Sequence, residues 1–379
     1  MFMRIVLCTF FWMLFFSSHT FAQSKLYHPA AVSETVDLKE GDLYLSVANK
    51  HFFINNEYSA PVVYGYTLPG QTISPLLKYL TRNEYLQLET GLQLKHFFGQ
   101  RDPISIHPIF TAELKVTPTT QFIMGALRGN LNHEASDLLF KNEYRYTRKP
   151  EYGVQNRHNS KRLWMDFWLN WEKYIIHGDT IPEQFTAGLS VQVPLLSSTS
   201  GWKITSPLQM IIVHRGGEIS SFKENGRSDM NNLVGLEIEK SSNAFITRWG
   251  VFGNYLNYYE MKSISNNAFT KGEGVETGAF IQKQSHHLRA SWWKGHKYIA
   301  HRGNPIYQSV SDYNDELTFR NRYLLAGKYA FKKEFSKDFV FSILVEGYYD
   351  LKLNYLDYSY GFQLLYVPQF FLKNLSPSS

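Results

Sequence analysis

The strongest constraint in this sequence is a strict alternation of apolar and polar residues along segments of about 10 to 14 residues. In residues 84–98, leucines lie on one face, while Gln, Glu and Lys lie on the other. Successive side chains of a β-strand point to opposite faces, so each segment predicts a strand with one apolar and one polar face. Residues 162–175 repeat the pattern. Similar alternation recurs in residues 105–115, 233–239, 244–255, 286–293, 317–331 and 339–350.

The length of these segments favours a membrane protein. Several exceed the usual 5–6 residues of a strand and approach the roughly 9–11 that a tilted strand needs to cross a bilayer. Tyrosines cluster near segment ends, at 255–259, 348–349 and 355–360, as in interfacial aromatic girdles. We therefore predict an all-β fold, an antiparallel transmembrane β-barrel of about 14–18 strands, with 16 as the best estimate. A secreted β-sandwich or propeller is the alternative.

The N-terminus predicts export. Residues 1–22 contain one basic residue, a 12-residue apolar run and small residues before Gln23, which is typical of a cleaved signal peptide. Residues 23–40 are expected to form a polar periplasmic lead-in, 41–371 the barrel and 372–379 a polar tail. The final strand is expected near 357–366, and outer-membrane localisation follows from export together with the barrel.

Cysteine content and charge exclude several classes of function. The only cysteine, Cys8, lies in the predicted signal peptide, so disulfides, thiolate chemistry and Cys-ligated zinc are excluded for the mature chain. The net charge is only +6, and no run of five or more Lys and Arg residues occurs. We therefore predict no nucleic-acid partner, no cofactor and no metal.

Seven motifs in residues 65–190 resemble a known family. They are GYTLPGQTISPLLKY (65–79), GLQLKHFFG (91–99), HPIF (107–110), GALRGNLNH (125–133), EYGVQ (151–155), WMDFWLNWEKYI (164–175) and EQFTAGLS (183–190). Together they resemble uncharacterised outer-membrane barrels of the phylum Bacteroidota. The resemblance implies the fold and the location, and it implies no activity.

One long segment, residues 127–152, does not alternate and is rich in ionisable side chains. Loops of this length are often functional, and we predict a constriction loop. The alternatives are a loop with solvated charges, lying outside or folded inward, and a loop that contacts a ligand. A zinc site at His133-Glu134-x-x-Asp137 is a weak hypothesis because the second histidine of the motif is missing. The candidate residues are Arg128, His133, Glu134, Asp137, Glu143, Arg145 and Arg148.

Polar-face residues of the strands are candidate lumen or ligand contacts. Aromatic side chains beside carboxylates on an inner wall would suit stacking of a sugar, but large side chains also serve as filler inside barrels. Asp166 and Glu172 are about 20 Å apart along one strand, too far for a glycosidase pair. The candidates are Trp164, Asp166, Trp168, Asn170, Glu172, Arg289, Arg320 and Arg322.

The charges on the polar faces balance, with acidic ones between 166 and 239 and basic ones between 289 and 328. Two interpretations stay open: opposite walls that set a field across the pore, or opposing charges that pair and fill the lumen.

Residues 285–291 contain two histidines and two serines, as in membrane-embedded phospholipases. No third group that would orient a base is indicated, so no catalytic residue is assigned.

The sequence thus favours a porin-like channel for small polar solutes or sugars, in contact with outer-membrane lipids. A barrel enzyme acting on lipids, of the phospholipase or lipid A deacylase type, is the first alternative. A closed structural or interaction barrel is the second. The oligomeric state is left open.

Overall fold

The computed structural model describes residues 39–375, apart from 82–83, 102–103, 218–225, 243–244, 263–267 and 315. The expected signal peptide, nearly all of the expected lead-in and residues 376–379 lie outside the described residues. Seventeen β-segments follow one another along the chain. They are β1 Asp42–Glu57, β2 Tyr66–Leu80, β3 Leu86–Phe97, β4 Ser105–Thr117, β5 Thr120–Ala126, β6 Tyr152–Asn159, β7 Trp164–Lys173, β8 Glu183–Ser197, β9 Trp202–Gly216, β10 Arg227–Ser241, β11 Arg248–Lys262, β12 Lys271–Lys283, β13 His286–His296, β14 Asn321–Ser336, β15 Phe339–Asp350, β16 Tyr355–Tyr366 and β17 Gln369–Asn374.

The segments form one closed antiparallel barrel of 16 strands. Each strand pairs with the next along the chain, and β1 closes the ring by pairing with both β16 and β17. These two segments are consecutive parts of the last strand, interrupted at 367–368, where Pro368 has no N–H to donate. The predicted 16-stranded barrel is confirmed, and the sandwich and propeller alternatives are excluded.

Two boundaries differ from the expectations. The last strand continues through Asn374, so the barrel extends into the expected polar tail, because residues 369–374 pair with the start of β1. The segment expected at 317–331 forms a strand only from Asn321. Residues 317–320 instead end a loop, in which Thr318 makes an isolated bridge with Val310.

The two ends of the barrel carry different connections. The turns at 118–119, 284–285 and 337–338 have two residues each and lie at the same end as the two chain termini. The longest connections, 127–151 and 297–320, lie at the opposite end. Short periplasmic turns and long extracellular loops are the rule in outer-membrane barrels, which orients the chain. No helix in the described part of the chain has the length and apolarity needed to span a membrane.

The strand faces follow the alternation in the sequence. On β7, Asp166 and Trp168 are fully buried inside the barrel, whereas Phe167 and Trp171 are exposed on the outside. On β3, Glu89 is buried and the neighbouring Leu88 is exposed. The barrel therefore has an apolar outer surface and a polar inner wall, as the sequence predicted.

Apolar side chains also pack inside the barrel. Three segments from the extracellular end, 58–65, 127–151 and 297–320, enter the lumen, and we call them the plug. Leu139 and Tyr307 of the plug are almost completely buried. Full burial of one such side chain is worth about 1.5–3 kcal/mol. The wall residues of this core come from β7, β9–β11 and β13–β15: Trp168, Ile211, Leu233, Leu256, Tyr258, Trp293, Leu324, Ala326 and Tyr348.

The outer face is testable by adjacent substitutions on β3. Leu92 lies at mid-strand and is exposed on the outside, whereas Gln93 lines an inner cavity. Leu92→Arg should destabilise the folded barrel by about 2–4 kcal/mol, because a charge near the bilayer midplane loses its hydration. Gln93→Arg should cost clearly less. Unfolding of both variants in lipid vesicles measures the difference, and equal costs would contradict the assignment of the faces.

Candidate functional site

A buried histidine joins the plug to the barrel wall. His133, in the 3-10 turn Asn130–His133, donates from Nδ1 to Asp166 at 2.7 Å and from Nε2 to Glu151 at 2.9 Å. Its ring stacks on Trp168, with centroids 3.6 Å apart and planes 9° apart. The loop and wall candidates from the sequence therefore meet here, and we call this group the His133 latch.

The latch is ionic. Burial alone would lower the pKa of His133, but the carboxylates of Glu151 and Asp166 outweigh it and raise the pKa to about 9. Burial would raise the pKa of Glu151, and the charge of His133 instead keeps that pKa below its usual value. Both ring nitrogens of His133 are engaged and the side chain is fully buried, so it has no nitrogen left for a substrate.

The zinc hypothesis for this segment is wrong. Glu134 accepts a hydrogen bond from Gln209 through its backbone carbonyl, at 3.0 Å. Asp137 points to Lys328 and Asn304, away from His133. Among the described residues, no group of three or more His, Cys, Asp or Glu side chains is placed to hold a metal ion.

Two further candidates of the loop pair with the wall. Arg128 binds Glu89 at 2.6 Å on β3 and Glu113 at 3.0 Å on β4. Asp137 accepts from Lys328 of β14 at 3.1 Å. The loop is therefore held inside the lumen by ion pairs to well-separated strands, β3 and β4 at one point and β14 at another.

Glu143 and Arg148 of the loop also contact the wall. Glu143 accepts from Asn56 of β1 at 2.9 Å and from the hydroxyl of Tyr66 on β2. Arg148 lies 3.5 Å from Glu172 on β7. These contacts tie the C-terminal half of the loop to β1, β2 and β7.

Plug segment 297–320 was not predicted from the sequence. Tyr307 accepts a hydrogen bond from Trp293 Nε1 through its carbonyl, and Arg302 binds Glu172 at 2.6 Å. The sequence does contain a pattern that could have predicted it: between 297 and 316 the alternation stops, but apolar residues such as Ile299 and Ile306 still occur. Both isoleucines are buried in the lumen.

The three arginine candidates have different environments. Arg322 is buried and donates to Asp350 at 2.9 Å and to two plug carbonyls, so it anchors plug segment 297–320. Arg289 faces the lumen and pairs with Glu276 at 3.2 Å. Arg320 was expected on the lumen wall, and this is wrong: it precedes β14 in the loop and is exposed.

The wall aromatics do not form an open sugar track. The His133 ring covers one side of Trp168. The backbone of Gly188 on the neighbouring strand also packs closely against Trp168, because a Cβ at Gly188 would lie 2.1 Å from the indole ring. Trp164 is also buried. Asn170 accepts from the backbone N–H of Tyr152 at 3.0 Å. These side chains fill the barrel, which was the alternative interpretation.

The serine–histidine segment spans two faces. His286 lies on the outside and its Nδ1 bonds the hydroxyl of Tyr329 at 2.8 Å. His287 lies in the lumen, where its ring stacks on Phe280 at 5.8 Å. Because the two histidines point in opposite directions, they do not form one catalytic group.

Among the described residues, three cavities lie between the plug and the wall. One of about 220 Å³ lies against β1–β4, one of about 110 Å³ lies against β10–β15, and one of about 40 Å³ lies beside β15 and β16. Arg145, on the short helix Tyr144–Thr147, lines all three. This one side chain therefore stands where the cavities meet.

Strand charges around the cavity against β10–β15 form ion pairs. Arg248 binds Glu239 at 2.6 Å on the neighbouring strand, and Lys328 binds Glu346 at 2.7 Å. The partners lie on adjacent strands or on the plug. This part of the lumen supports the interpretation of pairing charges over that of opposed walls.

The His133 latch generates a prediction for pH dependence. A group whose pKa is raised by folding contributes stability below its unfolded pKa of about 6.5 and loses it as the pH rises through about 9. Thermal unfolding should therefore occur at a lower temperature at about pH 10 than at about pH 6. His133→Gln should remove most of that difference. An equal shift in the variant would show that other groups cause it.

The described fold is similar to solved outer-membrane proteins. OprD from Pseudomonas aeruginosa is 7% identical, with 90% of this chain and 97% of that chain covered and a TM-score of 0.53. A BenF-like porin from Pseudomonas fluorescens Pf-5 is 7% identical over 87% and 100%, with a TM-score of 0.52. Pseudomonas aeruginosa OpdK, solved with vanillate, is 6% identical over 87% and 100%, also at 0.52. At these identities the likeness concerns the fold, which is that of an outer-membrane barrel.

The sequence itself matches one family model. No curated protein matches the chain. The model described as lipid A 3'-O-deacylase-type matches residues 34–375, so the match extends well beyond the motifs at 65–190. Because the match covers almost the whole barrel, the chain belongs to the lipid A 3'-O-deacylase-type family.

Proposed function

We propose that this protein is a narrow outer-membrane channel for small polar solutes, in which the plug is the constriction. The observation that carries the proposal is the meeting of three inner cavities at Arg145. The plug packs its apolar side chains mainly against β7, β9–β11 and β13–β15 and leaves a polar cavity along β1–β4. A solute would pass between the plug and that side of the wall.

The packed core limits the expected flux. Leu139 and Tyr307 are almost completely buried within the lumen, so the resting pore is small. Movement of the Arg145 side chain would join neighbouring cavities without disturbing this core. If the Arg145 side chain does not move, the barrel stays closed, which corresponds to the structural or interaction barrel.

Deletion of the first large plug segment tests the channel. Leu127 N donates to Glu151 O at 2.8 Å, so the ends of the segment already meet as a hairpin. Replacing 129–149 with an Asn-Gly turn should raise single-channel conductance severalfold in planar bilayers, because the constriction is removed.

The matched control shortens another extracellular loop. Replacing 177–180 in the β7–β8 connection should leave conductance unchanged, since the side chains of Tyr174 and Ile176 there are exposed. A folded plug-deletion variant with the conductance of the unmodified protein would overturn the channel proposal.

Family membership favours a second candidate function, hydrolysis of an acyl ester in a membrane lipid. One feature of the outer surface supports it. His51 on β1, Gln71 on β2 and His96 on β3 are direct cross-strand neighbours on the face opposite the buried Lys95. An imidazole at the lipid interface is a suitable general base for the water that attacks the ester carbonyl. The acyl C–O bond breaks, the fatty acid is released, and the proton passes to the oxygen left on the lipid, which becomes a hydroxyl group.

Mass spectrometry of lipid A incubated with the purified protein tests this candidate. A deacylase should release one acyl chain, and His51→Ala or His96→Ala should lower the rate at least about a hundredfold, the usual effect of losing a general base. His286→Ala, another outward-facing histidine, is the control. Intact lipid A after incubation with the unmodified protein would exclude this candidate.

A further inference from the structure

The cavity against β1–β4 has an unusual charge balance. Its lining contains five basic residues and two acidic ones. They are Lys50, Arg128, Arg145, Arg148 and Lys149, with Glu89 and Glu151. A water-filled cavity with an excess of one sign of charge attracts ions of the opposite sign.

Both acidic residues already have partners. Glu89 is bound by Arg128 at 2.6 Å, and the side chain of Glu89 is almost completely buried. Glu151 is bound by His133 of the latch at 2.9 Å. Each carboxylate therefore already has a closely bound basic partner, and basic residues stay in excess in the cavity lining.

Arg145 is held in place without a carboxylate. Its guanidinium lies 4.5 Å from the ring centroid of Tyr146, and its buried Nε has no hydrogen-bond partner. Within the described ranges, no ion pair involves Arg145. Stacking on an aromatic ring fixes the guanidinium while leaving N–H donors for another acceptor.

Two neighbours extend the positive surface. Arg148 lies 3.8 Å from the ring centroid of Tyr144, and its nearest carboxylate, Glu172, is bound more closely by Arg302. Lys149 donates to a backbone carbonyl at 2.9 Å, which does not cancel its charge.

We propose that this cavity binds a small organic anion that carries a carboxylate or phosphate group, with Arg145 as the principal contact. The inference deepens the proposed channel function and rests on it for the entry of the ligand. Thr72, Ser74 and Gln93 on the opposite wall supply polar contacts, and Leu76 and Ile109 suit a short hydrocarbon portion. Thus the ligand class is a small, partly apolar anion.

Calorimetric titration of the full-length protein in detergent tests the site, with succinate and inorganic phosphate as separate probes. The unmodified protein should bind at least one of them. Arg145→Gln should weaken binding about tenfold, as expected for loss of a charge-assisted hydrogen-bond pair. Arg145→Lys should retain most of the affinity. Stronger binding of succinate than of phosphate would identify the carboxylate as the preferred group.

Two further variants keep the test independent of folding defects. Arg320→Gln removes the same charge from an exposed position outside the cavity and should bind like the unmodified protein. Lys149→Gln, at the cavity edge, should weaken binding less than Arg145→Gln does. Absence of binding to both probes, or equal binding by Arg145→Gln, would overturn the site.

Bilayer recordings separate the two proposals. Under a KCl gradient, reversal potentials should show preference for chloride, and Arg145→Gln should reduce that preference at least about twofold. Binding that depends on Arg145 in a protein without conductance would support the site and overturn the channel. Conductance without anion preference and without binding would overturn the site alone.

Discussion

Every backbone N–H and C=O within the hydrocarbon layer needs a partner inside the protein, and the rest of this structure depends on that requirement. The chain meets it by closing 16 strands into a ring, with β1 paired to the last strand. A ring of about eight strands has an interior that side chains alone can fill, and a ring twice as large does not. The plug segments, with their apolar core and ionic anchors, occupy that excess volume on one side.

The strand faces could be predicted because period-two alternation is a local property of the chain. On β3 and β7 every assigned face is confirmed. The register of these strands is strongly specified, because a shift by one residue would place Glu89 or Asp166 in lipid. The strand number was predicted from the length per strand. The break at Pro368 was not, because it depends on pairing with β1, far away in sequence. Segment 297–320 was missed for a similar reason, because its apolar residues are explained only by the wall that they contact.

The candidate site was predicted in parts and not as a unit. His133 and Asp166 were both candidates, but they belonged to different sets, one on a loop and one on a strand. Their contact depends on how far the loop enters the lumen, which no local pattern encodes. Arg145 was one candidate among seven in the loop. Its position where three cavities meet, and its lack of an ion pair among the described residues, required the complete arrangement of plug and wall.

The seam between β1 and the last strand has a consequence for how the barrel forms. Asn49 lies beside Tyr366, which is more than 300 residues later in the chain. Closing so long a loop carries the largest chain-entropy cost of any strand pairing here, so we expect this pairing to form last. Until it forms, the chain is an open sheet with two unpaired edges, and such edges bind other strands readily. The newly exported chain is therefore most vulnerable to aggregation just before its two ends meet.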